Sequence, residues 1–317
     1  MLRRLIRHLP DFLVKFFARP YVAGDSLEQG LEVTRRLLAG RRVLTTLDLL
    51  SEGITTDAAV EGVRAMYRQM IESCATFENP AERPTVSLKP SSFTTTPLDR
   101  FPDATPVGSA EAIRECVALA QERSVALSID MEDHHWTQWT LDLANELWAE
   151  GVRHVGVVLQ TRLHRTEQDI ANLPQGMRVR LVIGIYNEPA EIAIRDKKEM
   201  KERMLRAAKT LLERGHYVEF ATHDMACIKR FLQDVVPAVG VAPDRFEVQM
   251  LYGVPMQAFQ DRILQGAFGP AARVRLYVPF ATSWKHALAY CRRRLHENPS
   301  MAMAVGRNLG RVVTGRR

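Results

Sequence analysis

The chain has 317 residues, with 43 Lys and Arg against 37 Asp and Glu and a formal net charge of +6. This length is sufficient to bury a large core and suits a single α/β barrel. The small basic excess is spread along the chain without a zinc-finger or RNA-binding aromatic pattern, so we do not expect nucleic-acid binding.

The N-terminal 17 residues are basic and amphipathic, with Leu and Phe interspersed among Arg and Lys. This pattern predicts either peripheral contact with an anionic membrane or a first helix that packs on the domain, and the sequence leaves both open. No apolar run approaches the roughly 20 residues of a membrane span. Four cysteines lie far apart without a CxxC pattern, which is typical of reduced cytoplasmic thiols. We therefore expect a cytoplasmic protein whose N-terminus is a candidate for contact with the inner membrane.

Eight β-rich segments follow one another along the chain, each separated from the next by a helical segment. Strands are predicted at 43–50, 85–89, 125–130, 154–160, 179–186, 218–224, 246–252 and 274–278. Helices are predicted at 25–40, 56–74, 110–122, 136–150, 166–172, 197–214, 225–235, 256–265 and 290–298. Such alternation predicts parallel βαβ units, and eight units predict a closed (βα)8 barrel of the TIM type.

The same pattern predicts three regions. Residues 1–40 form an N-terminal helical arm, residues 41–299 form the barrel catalytic domain, and residues 300–317 form a basic C-terminal tail. The helix at 290–298 follows the last strand, so we expect it to lie over the mouth of the barrel.

Polar side chains stand at the predicted C-terminal end of every strand, the side on which barrel enzymes carry their active sites. They are Asp48, Lys89, Asp130, Glu132, Gln160, Tyr186, Thr222, His223, Asp224, Gln249 and Tyr277, with Arg180 earlier in its strand. Buried polar and charged groups are costly unless they are partnered, so a purely structural explanation is weak for so regular a set. The pattern predicts a functional site.

The helix after the last strand carries a second signal. Tyr290, Arg293, Arg294 and Glu297 are spaced by three and four residues and so share one helical face. Two neighbouring guanidinium groups provide a set of donors suited to a carboxylate. In isolation this run also fits a solvated surface helix, but its place after the last strand favours carboxylate binding.

Several catalytic motifs are absent from the sequence. It contains no HExxH, GxSxG, Walker or GxGxxG pattern and no His/Cys cluster at zinc spacing. The pairs His134-His135 and His223-Asp224 could hold a divalent ion, but no third ligand stands out, so no metal site is predicted. A cationic cluster without a nucleophile motif favours redox chemistry on a bound cofactor, because side chains cannot accept a hydride.

In this order, a series of short motifs resembles the bacterial proline dehydrogenases, both the monofunctional enzymes and the matching domain of bifunctional proline utilisation A. The motifs are Leu47-Asp48-Leu49-Leu50-Ser51-Glu52, Ser87-Leu88-Lys89, Ile129-Asp130-Met131-Glu132-Asp133, Val158-Leu159-Gln160, Arg180-Leu181-Val182-Ile183-Gly184-Ile185-Tyr186, Phe220-Ala221-Thr222-His223-Asp224, Phe246-Glu247-Val248-Gln249-Met250-Leu251-Tyr252-Gly253, Tyr277-Val278-Pro279 and Arg293-Arg294-Leu295-His296-Glu297. The resemblance extends from about residue 22 to residue 299.

This resemblance implies a distorted (βα)8 barrel that binds FAD without a covalent link. It implies oxidation of L-proline to Δ1-pyrroline-5-carboxylate by hydride transfer from C5 of proline to N5 of FAD, the first step of proline breakdown to glutamate. The electrons then pass to a quinone. Since no aldehyde dehydrogenase domain is recognisable in the sequence, we expect a separate pyrroline-5-carboxylate dehydrogenase to consume the product.

The resemblance also assigns residues to roles. Lys89, Arg293 and Arg294 would hold the proline carboxylate, and Asp130 would position Lys89 on the substrate side of the pocket. The other substrate contacts would come from Tyr186, Leu251, Tyr277, Tyr290 and Glu297. The flavin contacts would come from Gln160, Arg180, Ile183, Gly184, Thr222, His223 and Gln249, with Arg180 near N5. Glu52 and Arg293 would form a gate over the substrate.

Two positions depart from the family pattern. Ile183 stands where the family usually has a lysine in contact with the flavin, and Thr161-Arg162 stands where an Ala-Tyr pair is common. Two other functions stay open on the residues alone. One is a barrel lyase or aldolase that uses Lys89 as a Schiff-base amine or a metal at His223-Asp224. The other is a membrane-surface binding module.

Overall fold

The computed structural model describes residues 10, 11, 14, 19–51, 53–283, 287 and 288. Eight strands form its centre: β1 Leu44–Leu50, β2 Thr85–Leu88, β3 Leu127–Ile129, β4 Val155–Gln160, β5 Arg178–Val182, β6 Tyr217–Ala221, β7 Phe246–Leu251 and β8 Arg273–Ala281. Each strand pairs in parallel with its neighbours in chain order, and β8 closes the sheet by pairing with β1. The predicted (βα)8 barrel is confirmed.

Helices alternate with these strands. They are α1 Leu27–Arg41, α2 Asp57–Ala75, α3 Ser109–Glu122, α4 His134–Ala149, α5 Thr166–Asn172, α6 Lys197–Glu213, α7 Met225–Arg230, α8 Val236–Val239 and α9 Gln257–Leu264. A π-helical turn, Phe231–Val235, joins α7 to α8. The sequence predicted one regular helix here, but Pro237 lacks the N–H group that an α-helix needs at this point.

Side chains at the strand-to-helix junctions begin several helices. Asp133 accepts a hydrogen bond from the backbone of His135 at 3.1 Å before α4. Asp196 does the same for Glu199 at 2.7 Å before α6, and Asp224 for Cys227 at 2.8 Å before α7. Each carboxylate satisfies an N–H group that has no partner within the helix. The helices therefore begin at defined positions next to the ends of β3 and β6.

Alternation along the strands separates an apolar outer face from a polar interior. Leu47 and Leu49 are buried among the helices, whereas Asp48 between them contacts residues of other strands inside the barrel. On the outer side, Phe220 stacks on Phe231 of the π-helical turn at a centroid distance of 4.2 Å. Successive side chains of a strand point to opposite faces, so one polar residue between two apolar residues enters the interior.

Several strands differ from the prediction. β3 is shorter than the predicted 125–130, and β6 ends at Ala221 instead of residue 224. β5 ends at Val182 instead of continuing to residue 186, because Gly184 adopts a φ of +106° that breaks the extended backbone. β8 runs to Ala281, past the predicted end at residue 278, because its last residues pair with β1 up to Leu50. Tyr277 therefore lies within β8 and not at its end.

The segment before α1 lies beside the ends of β7 and β8. The backbone N–H of Ala23 donates to Pro279 at 2.8 Å, and that of Ala281 donates to Gly24 at 3.1 Å. Next to these residues, Gly253 lies so close to Pro20 that an added Cβ would be 1.9 Å from the Pro20 carbonyl oxygen. This part of the chain is thereby fixed at the rim of the barrel.

Several predicted features lie outside the described residues. They are the helix at 290–298, the tail at 300–317 and nearly all of the basic stretch at 1–17. The division into arm, barrel and tail stays a prediction, although Gly30 of α1 packs against Leu47 and Phe280 at 3.5 Å from its would-be Cβ. In the part of the chain that the structure describes, no helix has the length and apolar character needed to span a membrane.

Candidate active site

Lys89, just after β2, points into the barrel and pairs with Asp48 of β1. Its Nζ also lies 3.5 Å from the hydroxyl of Tyr277 and 3.8 Å from Oδ2 of Asp130. Burial raises the pKa of Asp48, the Lys89 ammonium opposes this, and the nearby Asp130 adds to the increase. The ammonium thus lies between two carboxylates at the C-terminal side of the barrel.

Asp130, the residue after β3, binds side chains from three other strands. Its Oδ1 accepts hydrogen bonds from Ser87 at 2.5 Å and from Nη1 of Arg180 at 2.7 Å, and its Oδ2 accepts one from the Tyr277 hydroxyl at 2.6 Å. Burial and the neighbouring Asp130 both raise the pKa of Tyr277, so this phenol stays protonated and acts as the donor. One carboxylate therefore fixes groups from β2, β5 and β8.

Arg180 crosses the interior of the barrel. Its Nε donates to Gln249 at 2.8 Å and lies 3.3 Å from Glu219, and its guanidinium carbon is 5.2 Å from the centre of the Tyr277 ring. Burial acts to lower the pKa of Arg180, but Asp130 and Glu219 outweigh burial and raise it. Among the described residues, Nη2 of Arg180 is buried without a hydrogen-bond partner.

A second layer of ion pairs lies deeper in the barrel. Glu247 accepts hydrogen bonds from Arg275 at 2.6 Å, Gln249 at 2.7 Å and the Tyr217 hydroxyl at 2.9 Å. Burial alone would raise the pKa of Glu247, yet Arg275 and Arg178 outweigh it and hold that pKa at about 2. Since Gln249 also binds Arg180, this layer supports the upper one.

Charge is balanced across the two layers. Within the described part of the chain, their ion pairs join four cations (Lys89, Arg178, Arg180, Arg275) to four carboxylates (Asp48, Asp130, Glu219, Glu247). Arg178 pairs with Glu219 at the base of this set. Buried charges are tolerated when each has a partner, so the set needs no further counter-ion.

Glu132 and Gln160 lie at the rim. The carboxylate of Glu132 accepts hydrogen bonds from the Ser91 backbone at 2.8 Å and the Ser91 hydroxyl at 2.6 Å, and its backbone carbonyl accepts one from Gln160 at 2.8 Å. Burial raises the pKa of Glu132 to about 7, and the bonds from Ser91 limit the increase. Glu132 thus joins the loops after β2 and β3 to the end of β4.

The loop after β5 contains Ile183, Gly184 and Tyr186. A Cβ added at Gly184 would lie 2.7 Å from Oε1 of Gln160 and 2.8 Å from Cδ of Arg162. Arg162 donates its backbone N–H to Ile183 at 3.0 Å and its Nη1 to the carbonyl of Tyr186. The residue at 184 must therefore be small, and Arg162 follows this loop closely.

The residues after β6 have defined partners. His223 accepts a hydrogen bond at Nε2 from the Leu251 backbone at 2.9 Å, so that nitrogen carries no proton. Asp224 pairs with Lys201 at 2.5 Å, and its backbone N–H donates to the hydroxyl of Thr222 at 3.2 Å. These contacts do not favour the alternative of a metal held by His223 and Asp224.

The structure brings the predicted strand-end residues to one end of the barrel. Leu251 is paired in register with Tyr277, and both are half-buried, as is Tyr186. The remaining predicted site residues lie outside the described residues: Glu52, Tyr290, Arg293, Arg294 and Glu297.

Sequence reasoning missed several contributors. They are Asp48, Ser87 and Glu247, which the family motifs contain without an assigned role, and Glu219 and Arg275 within strands. A usable signal was present, since Glu219 lies between Val218 and Phe220 and Glu247 between Phe246 and Val248. A charged residue between two buried apolar residues of a strand faces the barrel interior.

A closed (βα)8 barrel with polar and charged groups gathered at the C-terminal ends of its strands defines an α/β-barrel enzyme. The family model described as proline dehydrogenase matches residues 32–307. The chain belongs to the proline dehydrogenase family.

Relatives at about one third identity span most of the chain. Proline dehydrogenase from Deinococcus radiodurans is 33% identical over 297 residues, which is 91% of this chain and 88% of the relative. Proline dehydrogenase 2 from Bacillus subtilis strain 168 is 32% identical over 280 residues, which is 88% of this chain and 86% of the relative.

Solved structures share the fold. Proline utilization A from Bdellovibrio bacteriovorus superimposes with a TM-score of 0.74 at 23% identity over 89% of this chain. A variant of the protein from Bradyrhizobium japonicum gives a TM-score of 0.70 at 20% identity. The match covers 32% and 31% of those chains, so this chain spans about a third of their length.

Proposed function

We propose that the protein oxidises L-proline to Δ1-pyrroline-5-carboxylate with non-covalently bound FAD and passes the electrons to a quinone. The observation that carries this proposal is the cluster of Lys89, Asp130, Arg180 and Tyr277 at the C-terminal side of the barrel, in a chain of the proline dehydrogenase family. A separate pyrroline-5-carboxylate dehydrogenase would consume the product. Peripheral membrane contact through residues 1–17 belongs to the same proposal.

Two features of the barrel fit a flavin. Nη2 of Arg180 is a buried donor without a partner among the described residues, on a guanidinium otherwise fixed by Asp130 and Gln249. Gly184 packs closely against the side chains of Gln160 and Arg162, so the loop after β5 and the end of β4 form one polar edge of the barrel mouth. We propose that the flavin is held by Gln160, Arg180, Ile183, Gly184, Thr222, His223 and Gln249. When bound, FAD accepts the hydride that leaves C5 of proline.

The balance of charge indicates which groups bind the proline carboxylate. Lys89 is a buried cation at the C-terminal side of the barrel, but Asp48 and Asp130 already offset its charge. A carboxylate therefore needs additional positive charge, and we propose that Arg293 and Arg294 supply it, with Lys89 as a hydrogen-bond donor. Asp130 keeps Lys89 and the Tyr277 hydroxyl in place.

The ring of proline would be enclosed by half-buried apolar and aromatic side chains. We propose that Tyr186, Leu251 and Tyr277 line this wall together with Tyr290, and that Glu297 lies on the same face as the arginine pair. Glu52 and Arg293 would close over the bound substrate. Fixing the carboxylate at one end of proline orients C5 at the other end, so positioning supplies much of the rate.

Anaerobic titration with L-proline, monitored by flavin absorbance, tests this function. We expect purified protein to be yellow and to lose its visible absorbance as proline is added, with no bleaching by D-proline. A colourless protein, or a flavin that L-proline does not reduce, would contradict the proposal. A lyase, an aldolase and a membrane-surface module all predict no bleaching.

Arg294→Met tests the carboxylate assignment. We expect kcat/KM for proline to fall about 30- to 1000-fold, equivalent to about 2–4 kcal/mol, because a desolvated carboxylate loses a charged partner. Exposed Arg214 on the opposite side of the barrel provides the control, and Arg214→Met should leave kcat/KM unchanged. Normal turnover in Arg294→Met would exclude this residue from carboxylate binding.

A further inference from the structure

A second group of titratable side chains lies at the start of α4, outside the barrel interior. Asp133, His134 and His135 are consecutive, and one possible metal-ligand atom from each lies within 4.8 Å of the others. Glu188, in the loop after β5, places Oε2 2.6 Å from Nδ1 of His134. Over the described ranges, Asp133, His134 and His135 are the one set of three such residues with this spacing.

The two imidazoles are held side by side. Their ring centroids are 3.9 Å apart with an interplanar angle of 36°. Glu188 fixes one nitrogen of His134, which leaves Nε2 of that ring as an electron-pair donor when the imidazole is neutral. Outer carboxylates hold metal-binding histidines in the same way. His135 lies 3.3 Å from Oδ2 of Asp133 through its own Nδ1.

Glu188 is an independent sign of a cation. Its side chain is 2% exposed, and its Oε1 is buried with no hydrogen-bond partner in the part of the chain that the structure describes. Arg162 lies close enough to interact electrostatically with Glu188, but no hydrogen bond from a guanidinium reaches Oε1. Arg195 donates to the backbone carbonyl of Glu188 at 2.9 Å, and Arg162 donates to the carbonyl of Tyr186. A buried carboxylate with one unpaired oxygen is costly unless a positive charge lies close by.

We propose that these four residues form a binding site for a divalent transition-metal ion. His134 and His135 each supply a nitrogen and Asp133 supplies an oxygen, while Glu188 positions His134 and contributes negative charge. Two imidazoles with carboxylates suit Zn²⁺ and its neighbours better than Mg²⁺ or Ca²⁺, which prefer all-oxygen sites. The imidazoles are 33% and 29% exposed, so an ion can enter from solvent.

A bound ion would join two segments that the sequence keeps apart. Glu188 lies 54 residues after His134, which is why the sequence offered no further ligand beside the histidine pair. The loop that carries Glu188 also carries Gly184 and Tyr186. The ion would therefore fasten this loop to the first turn of α4, and its binding does not depend on whether the proposed reaction is correct.

Metal titration of full-length protein without an affinity tag tests the proposal. After treatment with EDTA and its removal, we expect calorimetry to show uptake of one Zn²⁺ per chain, and Co²⁺ to give visible absorption bands of a site with nitrogen ligands. His135→Gln and His134→Gln should abolish saturable uptake. Glu188→Gln should weaken binding about 10- to 100-fold, as outer-carboxylate substitutions do elsewhere.

His164→Gln is the matched control, because His164 is exposed and outside the cluster. It should bind Zn²⁺ as the unchanged protein does. Zn²⁺ should also raise the Tm of the unchanged protein and of His164→Gln but not of His135→Gln, whose half-exposed side chain can change without disturbing the core. Binding should weaken in acid, because protons compete with the ion for its ligands.

Two results would overturn the site. One is the absence of saturable Zn²⁺ and Co²⁺ uptake by the folded protein at pH 7.5. The other is uptake that His134→Gln and His135→Gln leave unchanged, which would place the ion on other histidines or cysteines of the chain.

Discussion

At the scale of single residues, Asp130 has the largest set of partners in the candidate site. It accepts hydrogen bonds from Ser87, Arg180 and Tyr277 and lies 3.8 Å from Lys89. An asparagine at this position would keep some of these bonds, but it would carry no negative charge to attract Arg180 and Lys89. The consequence would be both a misplaced Lys89 and a less compensated Arg180.

We expect Asp130→Asn to lower kcat/KM for proline about 30- to 1000-fold, because charge-assisted bonds worth about 2–4 kcal/mol are lost. Ser87→Ala removes one neutral bond to the same carboxylate and should cost about tenfold or less. Steady-state kinetics on both variants, with exposed Asp103→Asn as a control, checks this order. Equal losses in Asp130→Asn and Ser87→Ala would show that the charge of Asp130 is unimportant.

Arg162 and Ile183 determine the charge beside the loop after β5. Ile183 replaces the lysine expected from the family resemblance, and Arg162 contacts the same loop through the carbonyls of Ile183 and Tyr186. Burial lowers the pKa of Arg162, Glu188 opposes this, and Arg195 adds to the decrease. The cation at this edge of the barrel mouth is thus carried by the turn after β4.

If FAD binds as proposed, we expect Arg162→Gln to weaken its binding about tenfold, equivalent to about 1.4 kcal/mol, because this edge of the barrel mouth loses a positive charge. Adding Ile183→Lys should restore most of the affinity, whereas adding Ile183→Leu should not. FAD affinity from fluorescence titration of the apoprotein provides the measurement. If the lysine fails to restore binding, Arg162 acts on the loop and not on the flavin.

At the scale of elements, the end of β5 depends on Gly184. The residue has a φ of +106°, and an added Cβ would lie 2.7 Å from Gln160 and 2.8 Å from Arg162. Backbone strain and contact both oppose a larger residue here, and relief of the contact would require the Gln160 and Arg162 side chains to move. In contrast, Gly62 in α2 has no atom within 4 Å of its would-be Cβ.

Gly184→Ala should lower the free energy of unfolding by about 1–3 kcal/mol through backbone strain, whereas Gly62→Ala should raise it by about 0.5–1 kcal/mol by favouring the helix. Urea denaturation followed by circular dichroism measures both. A neutral Gly184→Ala would mean that the loop after β5 adapts without cost. Comparison of the two variants shows whether glycine is needed specifically at position 184 or whether any Gly→Ala change has the same effect.

The elements themselves were predictable from sequence because their signals are local. Apolar alternation in Leu47-Asp48-Leu49 and Phe246-Glu247-Val248, with capping residues such as Asp133 and Asp196, indicates a strand or a helix start within a few residues. Partners across the barrel are not local. Nothing near Lys89 in sequence indicates that Asp48 is its main partner, since that contact depends on the register of β1 against β2.

At the scale of the whole molecule, the barrel interior is stabilised by pairs of charges in place of a purely apolar core. Arg275 and Glu247 are both buried and 2.6 Å apart, and Arg275 also donates to the carbonyl of Thr45 at 2.8 Å. Removing one partner leaves the other charge buried and less compensated. Without Arg275, Glu247 would keep its hydrogen bonds from Gln249 and Tyr217.

Arg275→Met should lower the free energy of unfolding by about 3–5 kcal/mol, as expected when one partner of a buried pair is lost. Arg273 lies on the same strand but is exposed, so Arg273→Met should change it by less than about 0.5 kcal/mol. Urea denaturation of both variants at pH 7 makes the comparison. Similar values for the two would mean that the interior ion pairs contribute nothing to stability.

Two glutamates give the molecule opposite responses to pH. The folded-state pKa of Glu247, held at about 2 by Arg275 and Arg178 against burial, lies below its value of about 4.5 in an unfolded chain. Its contribution to stability is therefore present above about pH 4.5 and is lost as pH falls toward 2. Burial raises the folded-state pKa of Glu132 to about 7, so its contribution is complete below about pH 4.5 and is lost as pH rises through 7.

From these two groups we expect the free energy of unfolding to be highest near about pH 5, to fall steeply in acid and to decline between about pH 5 and 7. Glu132→Gln cannot ionise, so its curve should stay flat over that upper range and cross the curve of the unchanged protein. Urea denaturation at half-unit steps of pH makes the test, with exposed Glu78→Gln as the control that keeps the decline. A decline that persists in Glu132→Gln would assign the upper limb to another group, because this carboxyl could no longer release a proton.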